Sequence, residues 1–248
     1  MGSLQGKNVV VVGGSRGVGR AIVEAAVGEG ATVLAVARGE PSLAQIAREV
    51  PGVRTRNVDA TRDTAPAEVF ATLDPDVLVI CAGALAPSAP LPDQTWQGFS
   101  VNWETDVKAS FLFCQAALRG RVRPGAQVIL ISSGAALSGG PPFAGGYAGA
   151  KRMQIFLAGH CQKEATRLGL DLRFMALAPA RIMADCGVGK AGVDGFAAYL
   201  GIPPEAVLAG MTDLHTREDV ARAVVELATA KPEGTAFQVS AAGLAPLI

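Results

Sequence analysis

Short runs of apolar residues, many of them β-branched, alternate along the chain with stretches in which apolar positions recur at helical spacing. Each apolar run is hydrophobic throughout rather than at every second position, which is typical of strands buried on both faces of a parallel sheet. Seven strands are predicted on this basis: Asn8–Val12, Thr32–Ala37, Val53–Val58, Asp76–Cys81, Gln127–Ser132, Asp171–Ala178 and Ala236–Ser240.

The stretches between the strands carry the helical pattern. Helices are predicted at Val18–Gly28, Ser42–Val50, Thr64–Leu73, Asp93–Leu118, Gly146–Leu168 and Arg217–Ala230. Ser42 is expected to cap the second helix, because its hydroxyl can accept a hydrogen bond from a first-turn amide. Since helices separate successive parallel strands, they cover both faces of the sheet. The pattern therefore predicts an α/β fold with a doubly wound, Rossmann-like parallel sheet.

One segment departs from this alternation. Residues 182–214 are rich in Gly, Ala and Pro and follow the sixth predicted strand. Ligands bind beyond the carboxyl ends of the strands in open α/β sheets, so this segment is predicted to be a substrate lid. No linker or run of charge divides the chain, and residues 1–248 are expected to form a single domain.

Composition narrows the range of partners. Half of the residues are apolar and 18% are charged, which is typical of a well-buried globular core. Lys and Arg together number 22, as do Asp and Glu, so no binding to nucleic acid or to an anionic membrane is expected. No apolar run has spanning length and the first residues lack a signal-peptide core, so a cytoplasmic protein is expected.

The spacing of cysteines and histidines argues against a metal site. No Cys-x-x-Cys pair occurs among the cysteines, which are Cys81, Cys114, Cys161 and Cys186. His160 and His215 are far apart in the sequence. We expect free thiols in a reducing compartment and no bound metal.

The first predicted strand leads directly into a glycine-rich loop that opens the first helix, Gly13-Gly14-Ser15-Arg16-Gly17-Val18-Gly19. Glycines let the backbone turn tightly and approach a pyrophosphate, and the helix N-terminus offers free amides. Dinucleotide binding is therefore predicted for Gly13, Ser15, Arg16, Gly17, Val18 and Gly19. A glycine-rich turn without a ligand is the alternative.

The end of the second strand indicates which dinucleotide is bound. An acidic residue about 20 positions after the loop would bind the ribose 2′-hydroxyl of NAD. No Asp precedes Asp59, and Arg38 occupies the place of the acidic residue. Two guanidiniums, those of Arg38 and Arg16, suit a 2′-phosphate, so NADP(H) is favoured. Glu40, two residues after Arg38, keeps NAD(H) as an alternative.

Tyr147 and Lys151 are the candidate chemical centre. Residues four apart share one face of a helix, so the Lys151 ammonium is expected beside the Tyr147 phenol. A neighbouring positive charge lowers the pKa of tyrosine from its ordinary value near ~10, which makes the phenol a usable general acid or base. The alternative is a surface lysine beside a half-buried tyrosine.

The glycine loop and Tyr147-x-x-x-Lys151 together resemble the short-chain dehydrogenase/reductase family over essentially the whole chain. By this resemblance Ser133, at the end of the fifth strand, joins Tyr147 and Lys151 as a catalytic residue, and Asp59 holds the adenine. The cofactor contacts that the resemblance implies beyond the glycine loop are Asp59, Ala60, Ala82, Gly83, Tyr147, Lys151, Pro179 and Ile182.

The chain departs from the family pattern near the proposed acid–base centre. Asp106 stands where the family has a catalytic Asn that helps to carry protons to the lysine, and it is taken as the fourth catalytic residue. A carboxylate at this position is expected to hold the lysine charge more tightly. The alternatives are that Asp106 only solvates its helix, or that Asn102, one turn earlier, takes the role. Other departures are Ile80-Cys81-Ala82-Gly83 for Asn-Asn-Ala-Gly and Pro179-Ala180 for Pro-Gly.

The resemblance implies reduction of a carbonyl to a secondary alcohol with NADP(H), or the reverse oxidation. Ser133 is expected to stabilise charge on the carbonyl oxygen, Tyr147 to donate the proton, and Lys151 to hold the nicotinamide ribose. A non-redox enzyme on the same fold (a dehydratase, epimerase or cyclase) and a cofactor-sensing binding protein are the alternatives.

Substrate and assembly follow less directly. Candidates for an apolar substrate pocket are Trp96, Phe143, Phe196 and Tyr199. The lid carries few charges, so an uncharged or largely apolar small-molecule carbonyl or alcohol is expected.

The family commonly forms tetramers or dimers through the helices matching Asp93–Leu118 and Gly146–Leu168, so a homotetramer or homodimer is expected. The apolar tail Ala241–Ile248 is expected to be covered, and a subunit contact is one way to cover it.

Overall fold

A computed structural model describes residues 2–137, 140–181, 186–211, 215–230 and 232–247. Within these ranges the strands are β1 Asn8–Val12, β2 Thr32–Ala37, β3 Arg54–Asn57, β4 Val77–Ile80, β5 Gln127–Ile131, β6 Arg173–Pro179, β7 Ala236–Ser240 and β8 Gly243–Pro246. The helices are α1 Gly17–Gly28, α2 Glu40–Glu49, α3 Ala65–Thr72, α4 Trp96–Asn102, α5 Lys108–Leu118, α6 Gly145–Arg167, α7 Gly187–Leu200, α8 Pro204–Ala209 and α9 Arg217–Ala230.

The strands form one sheet in the order β3-β2-β1-β4-β5-β6-β7-β8. The pairs from β3 through β7 are parallel, and β8 pairs antiparallel with β7. The chain moves outward from β1 to β3 and then returns to place β4 beside β1. Open α/β sheets bind ligands where the strand order reverses in this way, beyond the carboxyl ends of the strands. The predicted doubly wound parallel sheet is confirmed.

Two hydrophobic layers cover the sheet, one on each face. Alternate residues of a strand point to opposite faces, so Val10 and Val12 join one layer while Val9 and Val11 join the other. The first layer includes apolar residues of α3, α5 and α6, and the second includes those of α1, α2 and α9. This double burial explains why the central strands are hydrophobic at consecutive positions.

The N-terminus of α2 differs from the prediction. The helix begins at Glu40 with Gly39 as its cap residue, and no side chain accepts a capping hydrogen bond there. Pro41 lies in the first turn, where its missing N–H costs nothing, so the helix starts before Ser42. Ser42 is therefore not the cap; its hydroxyl donates to the Gly39 carbonyl at 2.9 Å.

The predicted long helix Asp93–Leu118 is interrupted. α4 and α5 are joined by a π-helical turn at Trp103–Val107, and α4 begins at Trp96 with Thr95 as a side-chain cap. A π turn adds a residue to one turn of helix and is frequent at functional sites. Hydrophobic periodicity alone does not reveal it, because one extra residue changes the helical phase only locally.

The C-terminal residues form an eighth strand that was not predicted. Gly243–Pro246 pairs with β7, and Leu244 packs against the second hydrophobic layer. The sheet covers the tail only in part, because Leu244, Ala245 and Leu247 are half-buried while Ala241, Ala242 and Pro246 are exposed.

The predicted lid contains α7 and α8, while residues 182–185 and 212–214 of it lie outside the described residues. Its action as a lid stays a prediction. In the described part of the chain, no helix combines the length and the apolar character needed to cross a bilayer.

Candidate active site

The glycine loop lies at the carboxyl end of β1, beside the reversal of strand order. The amides of Gly13 and Gly14 donate to the Val36 carbonyl at 2.7 and 3.1 Å, which fixes the loop to the end of β2. α1 begins at Gly17, and its cap residue Arg16 makes no side-chain capping bond. Amides of the first turn are therefore not capped by that side chain and can bind an anion.

Side chains are sterically excluded from the floor of this loop. Gly13 has φ +89°, and a Cβ there would lie 2.5 Å from the Ala82 amide nitrogen. A Cβ on Gly19 would collide with the Gly13 carbonyl oxygen. The glycine loop therefore presents backbone without side chains at the N-terminus of α1, the positive end of the helix dipole. This surface, here called the glycine cradle, fits the pyrophosphate of a dinucleotide.

A cleft of about 730 Å³ opens over this loop. Of the predicted cofactor contacts, those that line it are Gly13, Arg16, Gly17, Val18, Gly19, Gly83, Tyr147, Lys151 and Pro179. Ala82 contributes its amide beneath Gly13, whereas the Ala60 side chain is buried in the first hydrophobic layer. Ile182 lies outside the described residues.

Arg38 and Asp59 lie at the carboxyl ends of β2 and β3. Their side chains approach to 4.0 Å, between guanidinium nitrogen and carboxylate oxygen. Asp59 accepts hydrogen bonds from the Thr61 amide at 3.0 Å and hydroxyl at 2.8 Å. Partial burial raises the pKa of Asp59, but these two bonds and the Arg38 charge outweigh it and leave the pKa below its ordinary value. The exposed guanidiniums of Arg16 and Arg38 remain accessible to an anion.

Tyr147 and Lys151 occupy the first two turns of α6, and their side chains meet as the spacing predicts. Lys151 Nζ lies 5.7 Å from the centroid of the Tyr147 ring. Ser133 follows β5 and hydrogen-bonds with the Tyr147 phenol, while its Oγ also accepts from the Ala135 amide at 3.2 Å. All three side chains line the cleft. The neighbouring Ser132 is used differently, since its hydroxyl donates to the Lys151 carbonyl.

The Lys151 ammonium is buried and paired. It lies 3.0 Å from Asp106 Oδ2, and it donates to the Ile131 carbonyl and to Gln154 Oε1, both at 3.1 Å. Burial lowers the pKa of Lys151, but the Asp106 carboxylate outweighs that effect and raises the pKa above its ordinary value. Lys151 is therefore a fixed cation and not a surface side chain.

The ammonium lowers the pKa of Tyr147 as expected, but the net pKa is raised, so the expectation that it falls below its ordinary value is wrong. Burial of the phenol raises the pKa, Lys151 and the Ser133 hydrogen bond lower it, and Asp106 raises it again. The pKa lies above the ordinary tyrosine value because burial of the phenol, the largest effect, and the smaller effect of the Asp106 charge together outweigh the lowering by Lys151 and Ser133. At neutral pH the phenol is protonated.

Asp106 is placed by the π turn and faces inward. It is 1% exposed, so the interpretation that it merely solvates its helix is wrong. Its Oδ1 accepts from the Ala84 amide and the Thr105 hydroxyl, both at 2.9 Å, and from Asn102 Nδ2 at 3.2 Å. Asn102 also donates to the Ala84 carbonyl at 2.8 Å, so it holds Asp106 in place while Asp106 pairs with the lysine.

Gly83 gives this carboxylate its space. A Cβ on Gly83 would lie 2.8 Å from Asp106 Oδ2. The segment after β4 can therefore pass over Asp106 only without a side chain at this position, and Gly83 serves the acid–base centre as well as lining the cleft.

The other end of the cleft is apolar. Phe143 and Phe196 line it and pack edge to face, with ring centroids 4.9 Å apart. Tyr199 packs on the outer side of Phe143 at 6.2 Å, and Trp96 is 78% exposed and stacks on Phe99. Two of the four predicted aromatic residues thus line the cleft. Further lining residues that no sequence pattern indicated are Leu85, Pro142, Val188 and Met211.

The cysteines are free, as expected. Cys114 and Cys161 hydrogen-bond with each other between α5 and α6, while Cys81 and Cys186 line the cleft. Burial raises the pKa of Cys81 to about 11. Across the described ranges, no group of three or more His, Cys, Asp or Glu side chains is arranged to hold a metal ion.

A sequence profile of the short chain dehydrogenase family matches residues 7–197. The chain belongs to this family. This family member is 30% identical to L-xylulose reductase of Bos taurus over 129 residues. The match covers 52% of this chain and 53% of that protein. The chain is 27% identical over 123 residues to a carbonyl reductase of Sus scrofa whose name specifies NADPH, covering 50% of each chain. The chain thus matches about half the length of these curated relatives.

A solved short chain dehydrogenase/reductase family protein has the same fold over nearly the full chain. It superposes with a TM-score of 0.77 at 25% identity and covers 95% of this chain and 96% of its own. Family membership and fold therefore confirm the resemblance on which the site residues were predicted, while their roles remain predictions. Gln154, which contacts Lys151 in this family member, was missed because a glutamine in a helical pattern carries no signal of burial.

Proposed function

We propose that this family member reduces a carbonyl compound to a secondary alcohol with NADP(H), and catalyses the reverse oxidation. One observation carries the proposal: Ser133, Tyr147 and Lys151 line the same cleft as the glycine cradle. The names of the relatives, L-xylulose reductase and an NADPH carbonyl reductase, support the same class of reaction.

The roles of the residues follow from their chemistry. NADP(H), when bound, supplies or accepts the hydride. The glycine loop and the α1 amides hold its pyrophosphate. The Ser133 hydroxyl hydrogen-bonds the carbonyl oxygen as charge develops on it, and the Tyr147 phenol donates a proton to that oxygen. Lys151, held by Asp106, places a cation beside the phenol, and we assign Asp106 to the centre on that ground.

The preference for NADP(H) over NAD(H) rests on two cations. Arg38 follows β2, and Arg16 lies in the loop and lines the cleft; both side chains are exposed. A planar guanidinium suits the oxygens of a 2′-phosphate. Asp59, with Ala60 beside it, is assigned to the adenine side, and Ile182 and Pro179 to the nicotinamide side.

The substrate is proposed to be an uncharged, largely apolar carbonyl compound. Apolar side chains that line the cleft are those of Leu85, Phe143, Val188, Phe196 and Met211. An apolar surface of this kind favours a substrate that removes it from water. Residues of the predicted lid contribute three of these side chains, so closure over the substrate belongs to the same proposal.

Assembly as a homotetramer or homodimer is also proposed. Phe111 on α5 and Phe156 on α6 are 48% and 62% exposed, and Trp103 between α4 and α5 is 38% exposed. Large exposed aromatic side chains on neighbouring helices are typical of a subunit contact. The free thiols are consistent with a reducing compartment, and we place the protein in the cytoplasm on that ground.

The deciding experiment is a screen of a panel of ketones and aldehydes for NADPH consumption. The loss of NADPH absorbance measures that consumption. We expect turnover with apolar ketones and much less with NADH. NADPH binding without turnover on any carbonyl compound would favour the cofactor-sensing alternative. Turnover of an alcohol or sugar without net NADPH consumption would favour the non-redox enzyme.

A further inference from the structure

Gln154 closes a ring of buried polar groups around the Lys151 ammonium. It is 0% exposed, its Oε1 accepts from Lys151 Nζ, and its Nε2 donates to Ser110 Oγ at 2.9 Å. The Ser110 hydroxyl in turn donates to the Asp106 carbonyl oxygen at 2.8 Å. The ring thus runs from the ammonium through Gln154 and Ser110 to the residue whose side chain pairs with the same ammonium.

The orientation of the Gln154 amide follows from its neighbours. An ammonium can only donate, so the amide oxygen must face Lys151 and the amide nitrogen must face Ser110. A buried amide is unfavourable unless both of its ends are bonded, and here both are. The ammonium donates hydrogen bonds to the Ile131 carbonyl and to Gln154 Oε1, and it forms an ion pair with Asp106 Oδ2 at 3.0 Å.

We propose that Gln154 and Asp106 are positioning residues that clamp the Lys151 ammonium beside Tyr147, and that the charge they place against the ammonium decides how readily Tyr147 releases its proton. This inference rests on the acid–base role proposed for Tyr147 and adds a residue to it. Gln154 acts through Lys151: its neutral amide holds the ammonium without cancelling the positive charge. The Asp106 carboxylate holds the same ammonium and also cancels its charge.

The charged and titratable groups that act on Tyr147 and Lys151 come from several elements. Tyr147 and Lys151 share α6, Asp106 lies in the π turn, Cys81 follows β4, and Cys186 precedes α7. Burial raises the pKa of the Cys81 thiol to about 11, so this thiol carries no charge at neutral pH. Asp106 is therefore the charge whose placement matters most for the pair.

The test moves the carboxylate from one side of the ammonium to the other. The chain has 2 tyrosines, so Tyr199→Phe leaves Tyr147 as the only phenol, and phenolate absorbance reports its titration without cofactor or substrate. In this background, Asp106→Asn is expected to lower the titration midpoint by about one pH unit or more, because the ammonium loses its counter-charge. Adding Gln154→Glu is expected to restore at least half of that shift.

Gln162→Glu is the matched control. Gln162 lies on the same helix but bonds the Leu172 carbonyl and the Phe174 amide, away from the ammonium. Asp106→Asn with Gln162→Glu should titrate as Asp106→Asn does. The proposal is overturned if Gln154→Glu does not restore the Tyr147 titration midpoint. It is also overturned if Gln154→Glu and Gln162→Glu restore this midpoint equally.

Folding of each variant is checked by circular dichroism across the titration. Should Gln154→Glu prevent folding, Gln154→Met in the Asp106→Asn background replaces it. That change removes an acceptor and loosens the ammonium, so the Tyr147 midpoint should rise relative to Asp106→Asn alone. An unchanged midpoint contradicts the clamp.

The outcomes separate this inference from the proposed function. Midpoints that shift as described in a chain that consumes no NADPH would refute the proposed reaction and keep the clamp. Midpoints that do not shift in an active carbonyl reductase would refute the clamp and keep the reaction.

Discussion

The two halves of the cleft are built by different physical means. The cofactor half is a surface of bare backbone, in which Gly13 and Gly19 leave no room for a side chain. The acid–base half is a buried ion pair, Asp106 with Lys151, supported by side chains from the π turn, α5 and α6. The first comes from neighbours in the sequence, whereas the second brings together residues that are far apart in it.

The difference predicts two kinds of sensitivity. A backbone cradle is sensitive to an added atom on its floor, because its glycines leave no room for a side chain. A buried ion pair tolerates changes of shape better than the loss of one partner, because the remaining charge is left without compensation. Each of the following experiments compares a residue of one half with a matched residue outside it.

The largest effect is expected for Tyr147→Phe, which removes the proposed proton donor. Carbonyl reduction should fall by about 10³-fold, the scale of general acid catalysis, while NADPH still binds. Tyr199→Phe, the same change on the other tyrosine, should alter kcat by less than about twofold. Steady-state kinetics and a fluorescence titration of NADPH measure both. Unchanged turnover in Tyr147→Phe would remove Tyr147 from the reaction.

Lys151→Met should destabilise the fold, because it leaves the Asp106 carboxylate buried without a partner. We expect the free energy of unfolding in urea to fall by about 3–5 kcal/mol. Lys190→Met breaks a pair of the same type with Asp194 on an exposed face of α7, and should cost less than about 1 kcal/mol. Adding Asp106→Asn to Lys151→Met should recover much of the loss. Equal losses for the two lysines would mean that burial of the pair is unimportant.

Arg38→Asp tests the contribution of a cation near the cradle separately from that of the backbone cradle itself. Losing charge-assisted hydrogen bonds to a 2′-phosphate should raise the dissociation constant for NADPH by about 10–100-fold. The constant for NADH should change little. Arg48→Asp, on the exposed side of α2, serves as the control for net charge. If NADPH and NADH weaken equally, Arg38 does not hold the 2′-phosphate.

Gly19→Ala adds one methyl group to the floor of the cradle, where its Cβ would collide with the Gly13 carbonyl oxygen. We expect the dissociation constant for NADPH to rise roughly tenfold, which corresponds to about 1.4 kcal/mol. Gly28→Ala is the matched change at the other end of α1, where a Cβ meets no atom within 4 Å. If Gly19→Ala and Gly28→Ala bind NADPH with the same affinity, the backbone of the loop can shift to accommodate the added Cβ, and the prediction is wrong.

The sequence predicted the strand, loop and helix of the glycine cradle well because these elements are local, while cofactor binding there stays a prediction. A continuous apolar strand, a glycine loop and a helical pattern follow one another within the first 28 residues, and their order specifies a strand, a turn and a helix N-terminus. The parallel sheet was predictable for the same reason, since strands buried on both faces are hydrophobic throughout.

The acid–base half was predicted only in part. The spacing of Tyr147 and Lys151 placed them on one helical face, and the cation lies beside the ring as expected. The direction of the Tyr147 pKa was wrong, because burial and the Asp106 charge depend on elements that the local pattern does not describe. The sequence also left open whether Asp106 or Asn102 contacts Lys151; in the structure Asp106 makes this contact, while its catalytic role stays a prediction.

By itself, the sequence determined the order of the seven parallel strands and of α1, α2, α3, α6 and α9, the glycine cradle and the pairing of Tyr147 with Lys151, because each depends on residues within a few positions of one another. Only the tertiary structure decided what surrounds the ammonium. Asp106, Gln154 and the Ile131 carbonyl meet there because the π turn, α6 and β5 pack together. Electrostatic effects in a buried site depend on distance and burial, and neither can be read from spacing along the chain.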